Sequence, residues 1–509
     1  MLSKTASVAL VGTEGRLVEL EVHIGNGIPV FRIVGLPATS VREAEQRVTA
    51  ALEAIGERWP KRKIVANLAP AGLRKEGTHF DLAFAIGVLA ANGNLPLQRT
   101  SELVSFGELA FDGSVRPVPG CLAAALACAD SSAGVLICPA ANAAEAAAVS
   151  GLEVVPVSTL RECLEYVRGG WTPPVAPPPK SSPGKSIEDL SEVRGQEQAK
   201  RALEVAAAGG HDLLLKGSPG SGKTMIARRL PGILPAMTPE ETLAVTRIHS
   251  VAGLLMDGSG LVTERPFRSP HHSISLAGLV GGGIGLARPG EVSLASHGVL
   301  FMDELALYRS DLLDALRGPT EDGIVQISRS GGALTFPSRF SLIAAANPCP
   351  CGFRDDSFKP CKCSDTRIRA YDARISGPIL DRLDMQVTMK RLSREQLLDA
   401  PEGESSWMVR ERVEAARRMQ RERYDDRAAT NASVTKHAID SHVDISGPAK
   451  AMIGDAIDRV GLSGRGVTRV KRVARTVADL RGADTIEESD IAEALSLRLI
   501  DVRSEEEAA

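Results

Sequence analysis

Over its first third the chain alternates between short runs of apolar and polar residues and longer alanine-rich stretches. Leu17–Ile24 and Ile28–Leu36 alternate with period two and read as half-buried strands. Ser40–Ile55 repeats its apolar positions at helical spacing and predicts an amphipathic helix. Asp81–Ala91 and Gly120–Ala129 read as two more helices, and Val135–Pro139 and Glu153–Val157 as buried strands. This mixture predicts an α/β or α+β N-terminal domain. From Thr172 to Ser186 six prolines exclude helix and central strand, so the segment reads as a semi-extended linker. Beyond it come a helix over 195–208, a strand at Asp212–Lys216, a glycine loop with a following helix, and strands at Val299–Met302 and Phe340–Ala346. That order predicts a parallel sheet with helices on both faces. Glu321–Phe336 alternates and turns at Ser330-Gly331-Gly332, the pattern of a β-hairpin. Arg268–Gly290 is glycine-rich with little periodicity and reads as a mobile loop or insertion. From about Leu392 the chain becomes helical and highly charged, as a separate lid would be. The expected fold class is α/β in four parts: an N-terminal domain over 1–170, a linker over 171–186, a core over 187–391 and a helical lid over 392–509.

Composition sharpens this picture in three respects. A length of 509 residues suggests two to four domains. Aromatics make up 4% against 43% for all hydrophobics, so the cores must be aliphatic. A net charge of -3 does not announce a nucleic-acid partner, and any basic surface must be local. The N-terminus lacks the apolar stretch of a secretory signal, and no run approaches the roughly 18 apolar residues of a membrane span. A cytoplasmic protein without a membrane partner is expected.

The chemistry concentrates after the linker. Gly217-Ser218-Pro219-Gly220-Ser221-Gly222-Lys223-Thr224 fits G-x-x-x-x-G-K-[ST] in full, behind an apolar strand and ahead of a helix. The glycines let backbone N–H groups curl around phosphate oxygens, and the helix N-terminus adds a favourable dipole. Lys223 reaches the β- and γ-phosphates of ATP, and the Thr224 hydroxyl ligates Mg²⁺. The buried strand Val299–Met302 ends in Asp303 and Glu304. Asp303 would hold Mg²⁺ through water and Glu304 would polarise the attacking water. A solvated acidic turn is the plainer reading of the pair, and the phosphate loop upstream weighs against it. Asn347 ends the strand before Pro348, where a side chain meets the γ-phosphate or the water.

Cys349, Cys351, Cys361 and Cys363 form two C-x-C pairs within 15 residues, and four thiolates there can reach one tetrahedral Zn²⁺. A redox-labile thiol group and free cysteines in a tight loop are the alternatives. The other four cysteines are scattered among apolar residues. His271 and His272 do not suggest a metal, since adjacent side chains should diverge and no suitably spaced carboxylate is near. Arg329, near the hairpin tip, is the best single guess for a contact to a DNA phosphate, against a solvated edge-strand charge. Six basic residues against one acid between Leu462 and Gly482 read chiefly as a solvated helix face.

The series GSPGSGKT, RPFRSPHHSIS, GEVSLASHGVLFMDE, FSLIAAANPCPCG and SGPILDRLD resembles the magnesium-chelatase-like AAA+ ATPase family over nearly the whole chain. The resemblance implies a homo-oligomeric ring, commonly a hexamer, with ATP between subunits. Arg382 matches the family's arginine finger, and a local ion pair with Asp381 or Asp384 is the competing role. Arg465 matches the lid arginine that senses nucleotide, with Arg469 and Arg472 as rivals. Leu17–Pro139 resembles the ribosomal-S5-like domain shared with Lon protease and the recombination protein RadA. His79 stands where that protease has its serine and Ala124 where it has its lysine, so peptidase chemistry is not expected. A scaffold role and a DNA-contacting role both remain for this domain.

Two functions of different class follow. The first is a DNA helicase or translocase promoting branch migration, in recombination or natural transformation, on single-stranded or branched DNA. The second is a chelatase-type or protein-remodelling ATPase acting on a protein partner. The absence of a metal-binding integrin-like domain, and the view that chelatase motor subunits usually lack this N-terminal domain, favour the first. A transcriptional activator would carry a GAFTGA-type loop, which this sequence lacks.

Overall fold

The structure is a computed structural model. It describes residues 1–131, 133–179, 188–255, 260–283, 287–329, 332–354, 356, 358–375, 382–398, 401–426 and 429–498. Residues 180–186 of the proline-rich linker therefore lie outside the described residues. So do Ser330 and Gly331 of the hairpin turn, and the stretch 376–381 before Arg382.

The N-terminal sheet has seven strands: β1 (Leu2–Val11), β2 (Glu14–Gly25), β3 (Val30–Val34), β4 (Lys63–Ala69), β5 (Leu103–Ser105), β6 (Val135–Pro139) and β7 (Glu153–Val157). Their order is β3-β4-β2-β1-β5-β6-β7. β1–β2 and β2–β4 are antiparallel, and the remaining pairs are parallel. The expected helix over Ser40–Ile55 is two pieces, Thr39–Arg42 and Ala44–Ala54. Asp81–Ala91 is buried along its whole length: Leu82–Ala91 carries only apolar residues and glycine, and Asp81 accepts from Arg47 at 2.7 Å. His79 is buried between the rings of Phe80 and Phe106, 4.6 and 4.4 Å away. Burial pushes its imidazole down to about 4, so it is neutral at pH 7. Ala124 is fully buried. Neither position therefore carries the serine hydroxyl or the lysine amine of a peptidase dyad.

After the linker the core sheet is wholly parallel. Its strands are β8 (Leu213–Gly217), β9 (Phe267–Arg268), β10 (Val299–Met302), β13 (Ser341–Ala346) and β14 (Met385–Met389), in the order β9-β10-β13-β8-β14. A separate hairpin, β11 (Ile324–Arg329) with β12 (Gly332–Pro337), runs in register from Ile324↔Pro337 to Arg329↔Gly332. Its Val325 and Phe336 are buried in the same cluster as Leu300 and Leu342. The hairpin is therefore rooted in the core. Arg329 ends β11, and its side chain lies outside the described residues.

Arg268–Gly290 departs from expectation. Its described residues carry a short helix, Leu276–Val280, capped by Ser275, and a two-residue pairing of Gly281–Gly282 with Arg288–Pro289. Leu279 is buried, and Arg268 pairs with Glu291 through two bonds of 2.6 and 2.7 Å. Sparse anchors at irregular spacing fold this segment, and period counting does not detect them. His271 and His272 do not diverge: their ring centroids are 4.0 Å apart. The metal-like grouping found among the described residues involves neither of them.

The helices after Leu392 pack against the core sheet. Val409 and Val413 of helix Ser406–Tyr424, and Val470 and Val473 of helix Gly464–Leu480, pack in one cluster with Leu213 and Leu215 of β8. At the junction His211 lies 3.1 Å from Asp384 and 2.7 Å from the Thr476 hydroxyl.

The N-terminal domain also docks on the core. The Gly120 N–H donates to the Ser250 carbonyl at 3.0 Å, and Val251 enters the cluster of Leu122, Cys121 and Val118. Glu145 is buried beside Ser250, with the Asn142 amide donating to it at 2.8 Å. Burial pushes its carboxyl from about 4.5 up to about 7. The neutral form therefore favours folding below its unfolded value, and that contribution is lost as pH rises through about 7. Glu145→Gln is expected to remove the loss. Unfolding free energy followed by denaturant titration from pH 5 to pH 9 should fall less steeply in the variant, with the difference approaching ~3 kcal/mol at most.

Candidate nucleotide site

The phosphate loop opens at the C-terminal end of β8, which lies between β13 and β14 in the sheet. Ligands of open parallel sheets bind at such ends. Backbone geometry explains the glycines. Gly220 and Gly222 take φ of +80° and +93°. A Cβ on Gly217 would lie 2.4 Å from the Met389 carbonyl oxygen, so a larger residue would force β8 and β14 apart. Helix Lys223–Ala227 follows directly, with Gly222 at its cap.

Four expected residues converge here. Lys223 Nζ donates to the carbonyls of Gly217 at 2.6 Å and Ser218 at 3.0 Å, and to Asn347 Oδ1 at 3.1 Å. Burial lowers its ammonium below the ordinary lysine value, against the pull of Asp303 and Glu304. The Thr224 hydroxyl donates to Asp303 Oδ2 at 2.8 Å. A hydroxyl and a carboxylate side by side form the hard oxygen pair that Mg²⁺ selects. Ser221 Oγ is buried without a hydrogen-bond partner, so the loop holds a polar atom that a phosphate would satisfy. The donor set fits Mg²⁺–ATP, with Lys223 and the loop N–H groups toward the phosphates and Thr224 and Asp303 toward the cation.

Glu304 is exposed and has φ +51°, a left-handed backbone in a residue that rarely adopts it. Its N–H donates to Asp303 Oδ1 at 2.9 Å. Such strain concentrates where a side chain is aimed for a purpose.

Two contributors escaped the sequence reading. Gln196, also left-handed at φ +57°, donates from Nε2 to the Ser221 carbonyl at 3.1 Å and the Lys390 carbonyl at 2.6 Å. It ties the loop to the residue after β14. Gly352 of the cysteine loop sits against Pro219, which no motif announces.

Arg382 lies elsewhere. It pairs with Glu321 at 2.6 Å. Both residues line a cavity of about 660 Å³ together with Asp212, Asp384, Arg469 and Arg472. Asp212 and Asp384 directly precede β8 and β14, so this cavity marks the N-terminal ends of the strands, opposite the phosphate loop. Arg469 lies 3.5 Å from Asp384, and Arg472 donates to the Val434 carbonyl. Arg465 is exposed on the first turn of the same helix.

The four cysteines do come together. Their sulfurs all lie within 4.8 Å of one another, with Cys349 buried and the other three half-buried.

A parallel sheet, a glycine phosphate loop, a polar residue ending the adjacent strand and an acidic pair ending the next define a P-loop nucleotide-binding site of the AAA+ kind. Family comparison agrees. A model described as "Magnesium chelatase, subunit ChlI" matches residues 189–397, and its C-terminal counterpart matches 403–498. A third, "Subunit ChlI of Mg-chelatase", matches 20–142. The chain is 40% identical to the competence protein ComM of Haemophilus influenzae over 97% of its own length and 96% of the relative's. It is 43% identical to an uncharacterized protein of Mycobacterium tuberculosis over 98% of each chain. A magnesium-chelatase 38 kDa subunit of Rhodobacter capsulatus is 26% identical over 33% of this chain and 53% of that subunit. The chain belongs to the magnesium-chelatase-like AAA+ ATPase family. Among the described residues no helix is long and apolar enough to cross a membrane.

Proposed function

We propose that the protein is a ring-forming Mg²⁺-ATP motor that translocates on single-stranded or branched DNA and drives branch migration in recombination or natural transformation. The convergence of Lys223, Asn347, Thr224 and Asp303 carries the ATPase part. Lys223 neutralises the β- and γ-phosphates, Thr224 and Asp303 hold Mg²⁺, Glu304 polarises the attacking water, and Asn347 contacts the γ-phosphate or that water. Arg382 and the helix of Arg465 sit at the far end of the sheet from their own phosphate loop. Each serves the nucleotide of a neighbouring subunit in a homo-hexamer, Arg382 as finger and Arg465 as sensor.

The DNA part rests on full-length similarity to a competence protein and on the rooted hairpin that ends in Arg329. The test is the steady-state ATPase rate alone and with single-stranded, duplex and four-way-junction DNA, beside Glu304→Gln. Stimulation by DNA, lost in the variant, is the expected result. Basal hydrolysis indifferent to every DNA would overturn translocation and favour chelatase-type remodelling of a protein partner.

A further inference from the structure

Cys349, Cys351, Cys361 and Cys363 lie on the loop that follows the sensing strand, and that loop forms a wall of the phosphate site. The measured sulfur separations are 3.3 Å for Cys349–Cys351, 3.7 Å for Cys349–Cys361 and 3.6 Å for Cys351–Cys361. A disulfide needs about 2.05 Å, and none of the four is in one. Tetrahedral ligation with Zn–S bonds near 2.3 Å places sulfurs about 3.8 Å apart, close to what is found. The Arg354 N–H donates to Cys349 Sγ at 3.3 Å, and the Cys363 N–H to Cys361 Sγ at 3.5 Å. N–H groups so placed orient and stabilise ligating thiolates. An all-sulfur set selects Zn²⁺ over the hard Mg²⁺ of the neighbouring site.

The same loop touches the nucleotide machinery twice. Gly352 has φ +81°, and a Cβ there would lie 2.6 Å from Pro219 Cδ and 3.8 Å from Asn347 Cγ. Asp356, in the same loop, accepts from the N–H groups of Phe358 at 2.8 Å and Lys359 at 2.9 Å. Pro219 of the phosphate loop and the sensing asparagine thus lean on a loop with little apolar content to hold its shape.

We propose that these four cysteines bind one Zn²⁺, and that the ion, by closing the 349–363 loop against Pro219 and Asn347, makes nucleotide affinity depend on the metal. The coupling rests on the phosphate-loop reading; the metal site does not.

The experiment measures metal content of the full chain purified under reducing conditions without chelator, and Co²⁺ titration of the metal-stripped protein followed by its thiolate–Co²⁺ absorption. About one zinc per chain and the tetrahedral thiolate spectrum are expected. No zinc and no such spectrum would overturn the site. Binding of a fluorescent ADP analogue is then compared between wild type and Cys361→Ser/Cys363→Ser. About tenfold weaker binding in the variant is expected. Equal affinity in a folded, zinc-free variant would overturn the coupling. Should that variant fail to fold, Gly352→Ala keeps all four thiols and lifts the loop from Pro219. It is expected to hold zinc fully and bind the analogue more weakly, and unchanged affinity overturns the coupling equally. Zinc-loaded wild type that binds no nucleotide would sink the phosphate-loop reading and the coupling while leaving the site intact.

Discussion

Glu304→Gln is expected to lower ATP turnover about 10²–10⁴-fold while leaving nucleotide affinity within about twofold, because amide and acid have the same size and only the base is lost. The residue is exposed, so the change uncovers no buried charge and stability should be unaffected. Its φ of +51° persists in the glutamine variant, which keeps the side chain aimed as before. Lys223→Ala should behave differently. Lys223 is held by two phosphate-loop carbonyls and by Asn347, so its loss should weaken nucleotide binding as well as turnover. Single-turnover hydrolysis beside equilibrium binding separates the two. If Glu304→Gln hydrolyses within about threefold of wild type, the attacking water is activated by another group and the assignment fails.

How much of this was legible in the sequence varied with the physics behind each element. The phosphate loop and the strand ends were legible because glycine, lysine and paired carboxylates at fixed spacing have few other uses. Helix Asp81–Ala91 and strands Val135–Pro139, Val299–Met302 and Glu153–Val157 match their predicted bounds, since burial is written directly in apolar runs. β1 was missed because its inward face begins with Ser3, Thr5 and Ser7, all buried, which hydrophobic patterning reads as polar. Ser3 is satisfied by donating to the Gly87 carbonyl at 2.7 Å, a contact 84 residues away. β14 is five residues long and carries a buried Gln386, too little period to count. Helix Leu160–Arg168 was not expected, although Thr159 and Glu162 form a capping box and Gly169 ends it. The packing of the C-terminal helices on the core sheet was not legible because charge dominates their sequence. Their buried face is spread over helices distant in the chain, and only the fold shows that Val413 and Val470 share a core with β8. Gln196 and Gly352 act on the site through backbone contacts that no motif encodes.

Arg382→Ala is expected to reduce turnover about 10³-fold with nucleotide binding intact, the loss typical of a finger that stabilises charge only in the transition state. The competing role is a structural ion pair, since Arg382 bonds Glu321 at 2.6 Å beside a polar cavity. Glu321→Gln separates the roles, because it breaks the pair and leaves the guanidinium. It should cost little activity if Arg382 works as a finger and nearly as much as Arg382→Ala if the pair is what matters. Mixing decides the geometry. Arg382→Ala subunits keep Glu304, and Glu304→Gln subunits keep Arg382. In randomly mixed rings of equal proportion, about a quarter of interfaces combine an intact Glu304 with a neighbour's intact Arg382. Two inactive preparations should therefore regain about a quarter of wild-type turnover once subunits exchange. A finger acting within its own chain predicts no recovery at any ratio. The position of Arg382 at the opposite end of the sheet from Lys223 argues against that case. Failure of the mixture to recover, with exchange demonstrated by fluorescent labelling, would remove the arginine from the neighbouring subunit's site and with it the main structural reason for a ring.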